Sequence, residues 1–254
     1  MIHLRCGLAL ALLSLIASTA MAQDTAPAWS IGTEIWSKYV GGPHGAVPYK
    51  YPVSQSNLNV SWENCLSVNL WASKALGSDS ASGNGGNEVD YTVQCRATFG
   101  NGFGGHVSVN YYDLSAPVLY TSSRGDFVQL GSELNYTAQL GQHTLVPYVR
   151  VEPSFVVGGI ARDGVYTHLG VRHTWKVSDL LSVVETLRFV YDTGAYGLDA
   201  GWNARFDFAL AWNLGDGYTL NAPMFKVFRP LSDMSDRERQ FVIGAGFVKT
   251  FNAQ

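Results

Sequence analysis

The amino-acid sequence predicts an all-β protein, a transmembrane up-and-down antiparallel β-barrel of about twelve strands. Three observations lead to this fold. Apolar and polar side chains alternate over long runs, the connections between runs alternate in length, and an export signal precedes them. This combination is typical of barrels in the bacterial outer membrane, which are apolar outside and polar inside.

The alternation is clearest in the segment 127–140. Leu130 and Leu134 belong to the apolar parity, whereas Gln129 and Glu133 belong to the polar one. A period of two indicates a β-strand, because successive side chains point to opposite faces. The run exceeds the about 5–6 residues usual in soluble proteins. We therefore expect Leu130 and Leu134 to face lipid and Glu133 to face the lumen.

Similar runs recur along the chain and define the other candidate strands. In order, the candidates are 29–40, 55–62, 66–74, 88–99, 105–112, 127–140, 144–157, 165–175, 181–191, 202–212, 218–228 and 240–251. Short connections alternate with long ones, as expected for periplasmic turns and outer loops. An even strand count leaves both termini on the short-turn side.

Three candidate strands are irregular. Glu185 shares the apolar parity of 181–191, and 218–228 has the weakest alternation of all. Pro147 and Pro153 interrupt the segment 144–157. Because proline removes a donor from the strand ladder, we expect a bulge or a strand end there.

Aromatic residues collect at the predicted strand ends. Near the short turns these are Trp29, Trp62, Phe99, Trp175, Trp212, Tyr218 and Phe251. Near the long loops they are Tyr39, Tyr112, Phe127, Tyr191, Trp202, Phe228 and Phe241. Two such groups predict aromatic girdles at the two lipid–water interfaces.

The N-terminus has the features of a cleaved secretory signal. Arg5 precedes a short apolar core over 8–16, and Ala20-Met21-Ala22 fits a small-x-small cleavage site. We expect residues 1–22 to be removed and residues 23–254 to form the barrel.

The composition disfavours several other classes of protein. The chain has 17 basic and 20 acidic residues, a net charge of −3, so it has no basic footprint for nucleic acid. Charged residues make up 15%, against about 25% in soluble domains. The six histidines lack ligand spacing, and the sequence predicts neither metal nor cofactor.

Two cysteines follow the signal, and an oxidising periplasm permits a disulfide between them. Pairing Lys74 with Glu88 sets Cys65 opposite Ala97, about two residues from Cys95. The bond is therefore geometrically feasible, although the two cysteines differ in parity. Two unpaired thiols are the alternative.

The first third of the chain has a recognisable order of features. Tyr39 comes first, followed by Pro-Val-Ser-Gln at 52–55 and Leu-Ser-Val-Asn-Leu-Trp-Ala-Ser-Lys at 66–74. A Gly/Ser-rich loop, Glu-Val-Asp-Tyr at 88–91, Gly-Phe at 102–103 and Tyr-Tyr-Asp at 111–113 complete it. Over residues 30–115 the chain resembles the TorF-type family of outer-membrane porins, although the Arg-Gly pair common after their first strand is absent. The resemblance implies a pore-like protein and supplies no catalytic residues.

The parity opposite the apolar one is rich in charge. Its candidate lumen residues are Asp90, Arg96, Glu133, Arg150, Glu152, His168, Arg172, Arg188, Arg205 and Asp207. One interpretation is a selectivity wall for small polar or anionic solutes, since rings of charged side chains set the preference of a pore. The other is a salt-bridge network that fills a closed structural barrel, since buried charges need partners.

A lipid hydrolase is a further alternative, because His106 and Ser108 have the His-x-Ser spacing of barrel enzymes. Both should face the lumen near the periplasmic end, whereas a lipid hydrolase needs them to face lipid. We therefore expect a non-enzymatic, porin-like channel in the outer membrane. Its expected partners are outer-membrane lipid, lipopolysaccharide, small polar solutes and the barrel-assembly machinery.

Overall fold

The computed structural model describes residues 26–63, 65–76, 87–114, 126–157 and 161–251; the predicted signal 1–22 lies outside this range. The strands are β1 (Ala28–Trp36), β2 (Val53–Ser61), β3 (Leu66–Ala75), β4 (Glu88–Gly100), β5 (Phe103–Asp113), β6 (Asp126–Tyr136), β7 (Ala138–Leu140), β8 (His143–Val157), β9 (Gly164–Lys176), β10 (Leu181–Asp192), β11 (Gly201–Gly215), β12 (Tyr218–Pro230) and β13 (Gln240–Phe251). A short 3₁₀ turn, Ala195–Gly197, precedes β11. Among the described residues, no helix is long and apolar enough to cross a bilayer.

The strands form one closed antiparallel barrel. Each pairs with its neighbours in chain order, and β1 closes the ring by pairing with β13, starting with Trp29 opposite Phe251. β6 and β7 both pair with β8 in one register, separated by Thr137. They are therefore two halves of one strand, and the thirteen segments make a barrel of twelve strands, as the sequence predicts.

The two faces of the wall follow the predicted alternation. On β1, Ile31 and Ile35 are 50% and 56% exposed, whereas the intervening parity ends in Trp36, which is 2% exposed. On β6, Leu134 is exposed on the outer wall and Glu133 is buried inside. Closure leaves the ring without an open edge strand, so the apolar outer wall can contact lipid without exposing a row of unpaired backbone groups.

The expectation of a bulge or a strand end at the two prolines of β8 is wrong, because neither proline produces one. The backbone pairing of β8 with β6 is interrupted beside Pro153 and then continues in the same register. It is interrupted again beside Pro147 and continues, still in that register, with β7. The missing donors therefore leave gaps in the ladder. The gap beside Pro147 divides the predicted strand 127–140, so that β6 ends at Tyr136 and β7 begins at Ala138.

Two other predicted strands differ in detail. The first ends at Trp36, not Val40, and Tyr39 instead forms an isolated bridge with Tyr49 inside the β1–β2 loop. The weakest predicted strand is a regular member of the ring, β12, but its register shifts against both neighbours between Asn221 and Met224. One extra residue there reverses the inward parity, which explains the poor alternation.

The aromatic girdles are present on the outer wall, with one correction. Trp29 stacks on Phe251 at the short-turn end, with ring centroids 3.9 Å apart, and Tyr191 packs near Trp202 at the other end. Four residues predicted for the long-loop girdle instead face the barrel interior: Tyr39, Tyr112, Phe127 and Phe228.

Glu185 faces the outer wall, as its irregular parity suggests, and it is not isolated there. Its carboxylate lies 2.8 Å from Nδ1 of His173, the residue directly opposite on β9. Nε2 of His173 lies 3.0 Å from Nδ1 of His143, whose ring stacks on that of Trp175. These partners satisfy a carboxylate that apolar surroundings would otherwise disfavour.

Candidate functional site

The charged residues predicted to line the lumen all lie on the inward parity of their strands. They come from six strands: Asp90 and Arg96 from β4, Glu133 from β6, Arg150 and Glu152 from β8, His168 and Arg172 from β9, Arg188 from β10, and Arg205 and Asp207 from β11. Most of them meet in three clusters across strand boundaries, each centred on a carboxylate.

Glu133 centres the first cluster. Its carboxylate accepts two hydrogen bonds from the Arg172 guanidinium, at 2.5 and 3.2 Å, and one from the Asn135 amide at 3.0 Å. Nδ1 of His106 lies 3.8 Å away. The Arg172 guanidinium also covers the ring of Tyr148 at 4.5 Å, which fixes its position.

Glu152 and Asp207 centre the other two clusters. Glu152 contacts the Arg150 guanidinium and lies 2.7 Å from Nε2 of His168. Asp207 accepts a hydrogen bond from Arg188 at 2.7 Å and another from Nε of Arg205 at 2.8 Å. Each carboxylate therefore binds two groups from its own or neighbouring strands, which tightens this part of the wall.

In the Glu133 and Glu152 clusters the guanidinium is more accessible than the carboxylate. The Glu133 and Glu152 side chains are 1% and 4% exposed, whereas those of Arg172 and Arg150 are 41% and 29% exposed. The acidic partner is thus shielded behind the basic one. The surface presented to water inside the barrel is therefore basic along β8 and β9.

The β1–β2 loop folds into the barrel and crosses it. The Tyr39 hydroxyl donates a 2.5 Å hydrogen bond to Glu88 on β4, and the Gly42 carbonyl accepts one of 2.8 Å from Arg205 on β11. Five strands separate β4 from β11 in either direction around the ring, so these contacts lie on opposite walls. Burial and the adjacent Glu88 carboxylate raise the pKa of Tyr39, which keeps its hydroxyl a donor.

A second loop narrows the same end of the barrel. Tyr196, in the β10–β11 loop, packs edge-on against Phe127 with ring centroids 3.7 Å apart, and its ring lies 5.3 Å from that of His44 in the β1–β2 loop. The Ser235 hydroxyl and amide both donate to Asp199 at 2.7 Å, which ties this loop to the β12–β13 loop.

A cavity of about 830 Å³ remains inside the barrel beneath these loops. Acidic side chains line one side, Glu88 and Asp90 on β4, and basic ones line another, Arg205 on β11 and Lys226 on β12. Aromatic rings complete the lining, among them Trp71. The cavity thus combines charge of both signs with apolar faces, a composition suited to a small polar solute.

Sequence reasoning missed several lining residues, notably Glu34, Tyr39 and Lys226. Glu34 lies on the inward parity of β1, together with Trp36. Its charge within a strand is the signal that could have identified it as a residue facing the lumen. Lys226 follows the register shift of β12, which hides its parity. Tyr39 enters the site from a loop, and a period-two pattern carries no information about loops.

Cys65 and Cys95 form a disulfide, with Cα atoms 4.8 Å apart. The predicted register was wrong by one residue, because Glu88 lies opposite Ser73 and not Lys74, which sets Leu66 opposite Cys95. Cys65 precedes the strand with a φ of 109°, a left-handed conformation that points its sulfur toward Cys95. The apparent difference in parity therefore does not oppose the bond.

His106 and Ser108 face the lumen, as predicted. Ser108 is buried against Gly131 of β6 and accepts a 3.4 Å hydrogen bond from Asn110. A hydroxyl in this position has no access to a lipid ester outside the wall. Among the described residues, no group of three or more His, Cys, Asp or Glu side chains is arranged to hold a metal ion.

Comparisons with known proteins identify the fold. No family model and no curated protein sequence matches the chain. Among solved structures, the NanC porin superposes with a TM-score of 0.56 at 10% identity, covering 89% of this chain and 100% of that one. The KdgM porin gives 0.56 at 10% identity, with coverages of 88% and 99%.

Another similar structure is the COG4313 outer membrane channel from Pseudomonas putida F1, with a TM-score of 0.54 and 12% identity over 91% of this chain and 97% of that one. All three are outer-membrane β-barrels that form porins or channels. The closed ring, the lipid-compatible outer wall and this shared fold define the chain as a β-barrel of the bacterial outer membrane.

Proposed function

We propose that this protein is a porin-like channel through which small hydrophilic solutes cross the outer membrane passively. The observation that carries the proposal is the 830 Å³ cavity inside the barrel, lined by charges of both signs. A barrel that serves only as a structural element has no need of such a space, since side chains can fill a small barrel completely.

The exposed guanidiniums support the same function. Arg172 and Arg150 present basic groups to lumen water while their carboxylate partners lie buried behind them. Charged groups arranged on a lumen wall set the preference of a pore among solutes. A basic lining favours solutes that carry an anionic or electron-rich group.

Two resemblances support it further. The NanC and KdgM porins share the fold, and one solved structure of KdgM is a complex with disordered oligogalacturonate. Residues 30–115 also resemble TorF-type porins in sequence. From these proteins we carry over the function of a solute pore to this chain. We do not carry over the particular solute of any of them.

The second candidate is a closed structural barrel, and a specific observation favours it. On β5, β6, β8 and β9 several inward polar side chains are almost fully buried: Ser108, Asn110, Gln129, Glu133, Glu152, Ser154 and His168. Such packing fills much of that side of the lumen, and the β1–β2 loop crosses the rest. A lipid hydrolase is disfavoured, because His106 and Ser108 face inward.

Planar-bilayer conductance of the refolded protein separates the two. We expect discrete openings, and a reversal potential that indicates anion preference. Replacing Arg172 by Ala should shift this preference toward cations, whereas Arg229→Ala, which removes the same charge from the exposed outer parity of β12, should leave it unchanged. Protein that is folded by a heat-modifiability gel and yet shows no openings would contradict the channel.

The remaining partners are proposed on physical grounds. The outer wall contacts membrane lipid, and the longer loops lie at the end expected to face lipopolysaccharide. Insertion of an exported barrel requires the barrel-assembly machinery. Fractionation of outer membranes, followed by extraction in detergent, tests the first of these proposals.

A further inference from the structure

The charges inside the barrel fall into two groups that differ in pairing. Arg150, Arg172, Arg188 and Arg205 each lie against a carboxylate. In contrast, no salt bridge to Glu88, Asp90 or Lys226 occurs among the described residues, and all three line the cavity. Buried ionisable groups that form no salt bridge are unfavourable, so a ligand that supplies the opposite charge would be stabilised there.

The acidic group lies on β4. The Tyr39 hydroxyl satisfies one oxygen of Glu88. Oδ1 of Asp90, two residues along the same face, is buried and has no hydrogen-bond partner among the described residues. The ring of Trp71 also lines this part of the cavity and packs 6.0 Å from that of Tyr39. Two carboxylates beside aromatic faces are the chemistry that recognises a protonated amine.

The basic group lies on the far wall. Lys226 is on β12, with four strands between it and β4 around the ring, and its ammonium sits 3.6 Å from the Trp36 ring centroid. Among the described residues it has no hydrogen-bond acceptor and no salt bridge, although Glu34, which accepts a hydrogen bond from the Trp36 indole, lines the same cavity. Arg205, on the neighbouring strand, lines the same cavity, where its guanidinium already donates to Asp207 and to the Gly42 carbonyl. The Lys226 ammonium therefore suits a carboxylate or another small oxyanion.

We infer that the cavity binds small zwitterions, with the amine held at Glu88 and Asp90 and the anionic end held at Lys226. The inference rests on the proposed channel function and deepens it by naming a class of solute. A plain anion has no opposite charge to meet at β4, and a plain cation has none to meet at Lys226. A solute with both charges gains at both ends and is repelled at neither.

Calorimetric titration of the folded protein in detergent tests the inference with three probes of similar size. They are γ-aminobutyrate, its N-acetyl derivative, which is an anion, and its amide, which is a cation. We expect γ-aminobutyrate to bind about tenfold more tightly than either derivative. Equal affinity for the three probes, or no binding of γ-aminobutyrate, would overturn the site.

Variants assign the two ends. The pair Glu88→Gln and Asp90→Asn should reduce γ-aminobutyrate affinity to that of the N-acetyl anion, and Lys226→Met should reduce it to that of the cationic amide. Arg229→Ala is the matched control on the outer wall and should change neither. If the β4 pair or Lys226→Met, folded by the gel assay, binds γ-aminobutyrate like the parent protein, the assignment is wrong.

Conductance of the same preparations keeps this inference separate from the channel. Openings without any preference among the three probes would leave the channel standing and defeat the zwitterion site. Tight binding of γ-aminobutyrate without openings would support the site and defeat the channel.

Discussion

Removing Arg172 should destabilise the barrel more than neutralising its partner Glu133. The Arg172→Ala variant leaves a carboxylate with 1% exposure, the Asn135 amide as its remaining hydrogen-bond donor and His106 3.8 Å away. An uncompensated buried charge of this kind costs about 3–5 kcal/mol. The Glu133→Gln variant leaves a guanidinium that is 41% exposed and can be hydrated, so the loss is that of charged hydrogen bonds, about 1.5–3 kcal/mol.

The double variant distinguishes this reasoning from a simple loss of contacts. Once Glu133 is neutral, removing Arg172 no longer strands a charge, so the double variant should be more stable than Arg172→Ala alone. The two effects are therefore expected to be strongly non-additive, as for groups in direct contact.

Urea unfolding in phospholipid vesicles, followed by tryptophan fluorescence and by gel mobility, measures all three variants against the parent. Arg229→Ala on the outer parity serves as the control and should change the free energy of unfolding by no more than about 0.5 kcal/mol. The reasoning is refuted if Arg172→Ala costs no more than Glu133→Gln, or if the cost of the double variant equals the sum of the two.

Three further predictions concern the loops and the disulfide. Gly45→Ala should raise single-channel conductance. Gly45 has a φ of 72°, and a Cβ there would overlap the ring of Phe228 and displace the β1–β2 loop. Unchanged conductance would contradict the role of this loop as a constriction. Replacing Cys65 and Cys95 by Ala removes a disulfide between residues 30 apart in sequence and should lower the free energy of unfolding in urea by up to about 4 kcal/mol. An unchanged urea midpoint would show that the disulfide constrains the unfolded chain little. Hydrogen bonds from Ser235 in the β12–β13 loop lower the pKa of Asp199. This tie is therefore intact above the ordinary carboxyl pKa and weakens as the pH falls through the lowered value. Proteolytic nicking at 231–239 should then rise, and Asp199→Ala, which removes the acceptor, should be nicked already at neutral pH.

The wall of the barrel could be predicted from sequence because lipid imposes a simple rule on it. Every second side chain must be apolar, so the local sequence alone predicts that Leu134 faces lipid and that Glu133 faces the lumen. Strand number and connection order follow from the same pattern, because up-and-down barrels pair strands that are neighbours in the chain.

The interior of the site could not be predicted in the same way. The contact between Gly42 and Arg205 joins residues 163 apart, and nothing in the local pattern of either predicts the other. Lys226 was missed because one extra residue in β12 reverses the alternation just before it. The β3–β4 register was misjudged because Lys74 was paired with Glu88 from the predicted strand ends alone, whereas Ser73 lies opposite Glu88.

The hydrogen bond between Gly42 and Arg205 also bears on how the barrel is assembled. One partner follows the first strand of the chain and the other lies on β11, so the bond forms only after most of the ring is in place. Contacts of such high sequence separation form late and slowly. The β1–β2 loop should therefore stay accessible to protease during insertion and become protected last. Protease resistance of this loop then indicates that the barrel is complete.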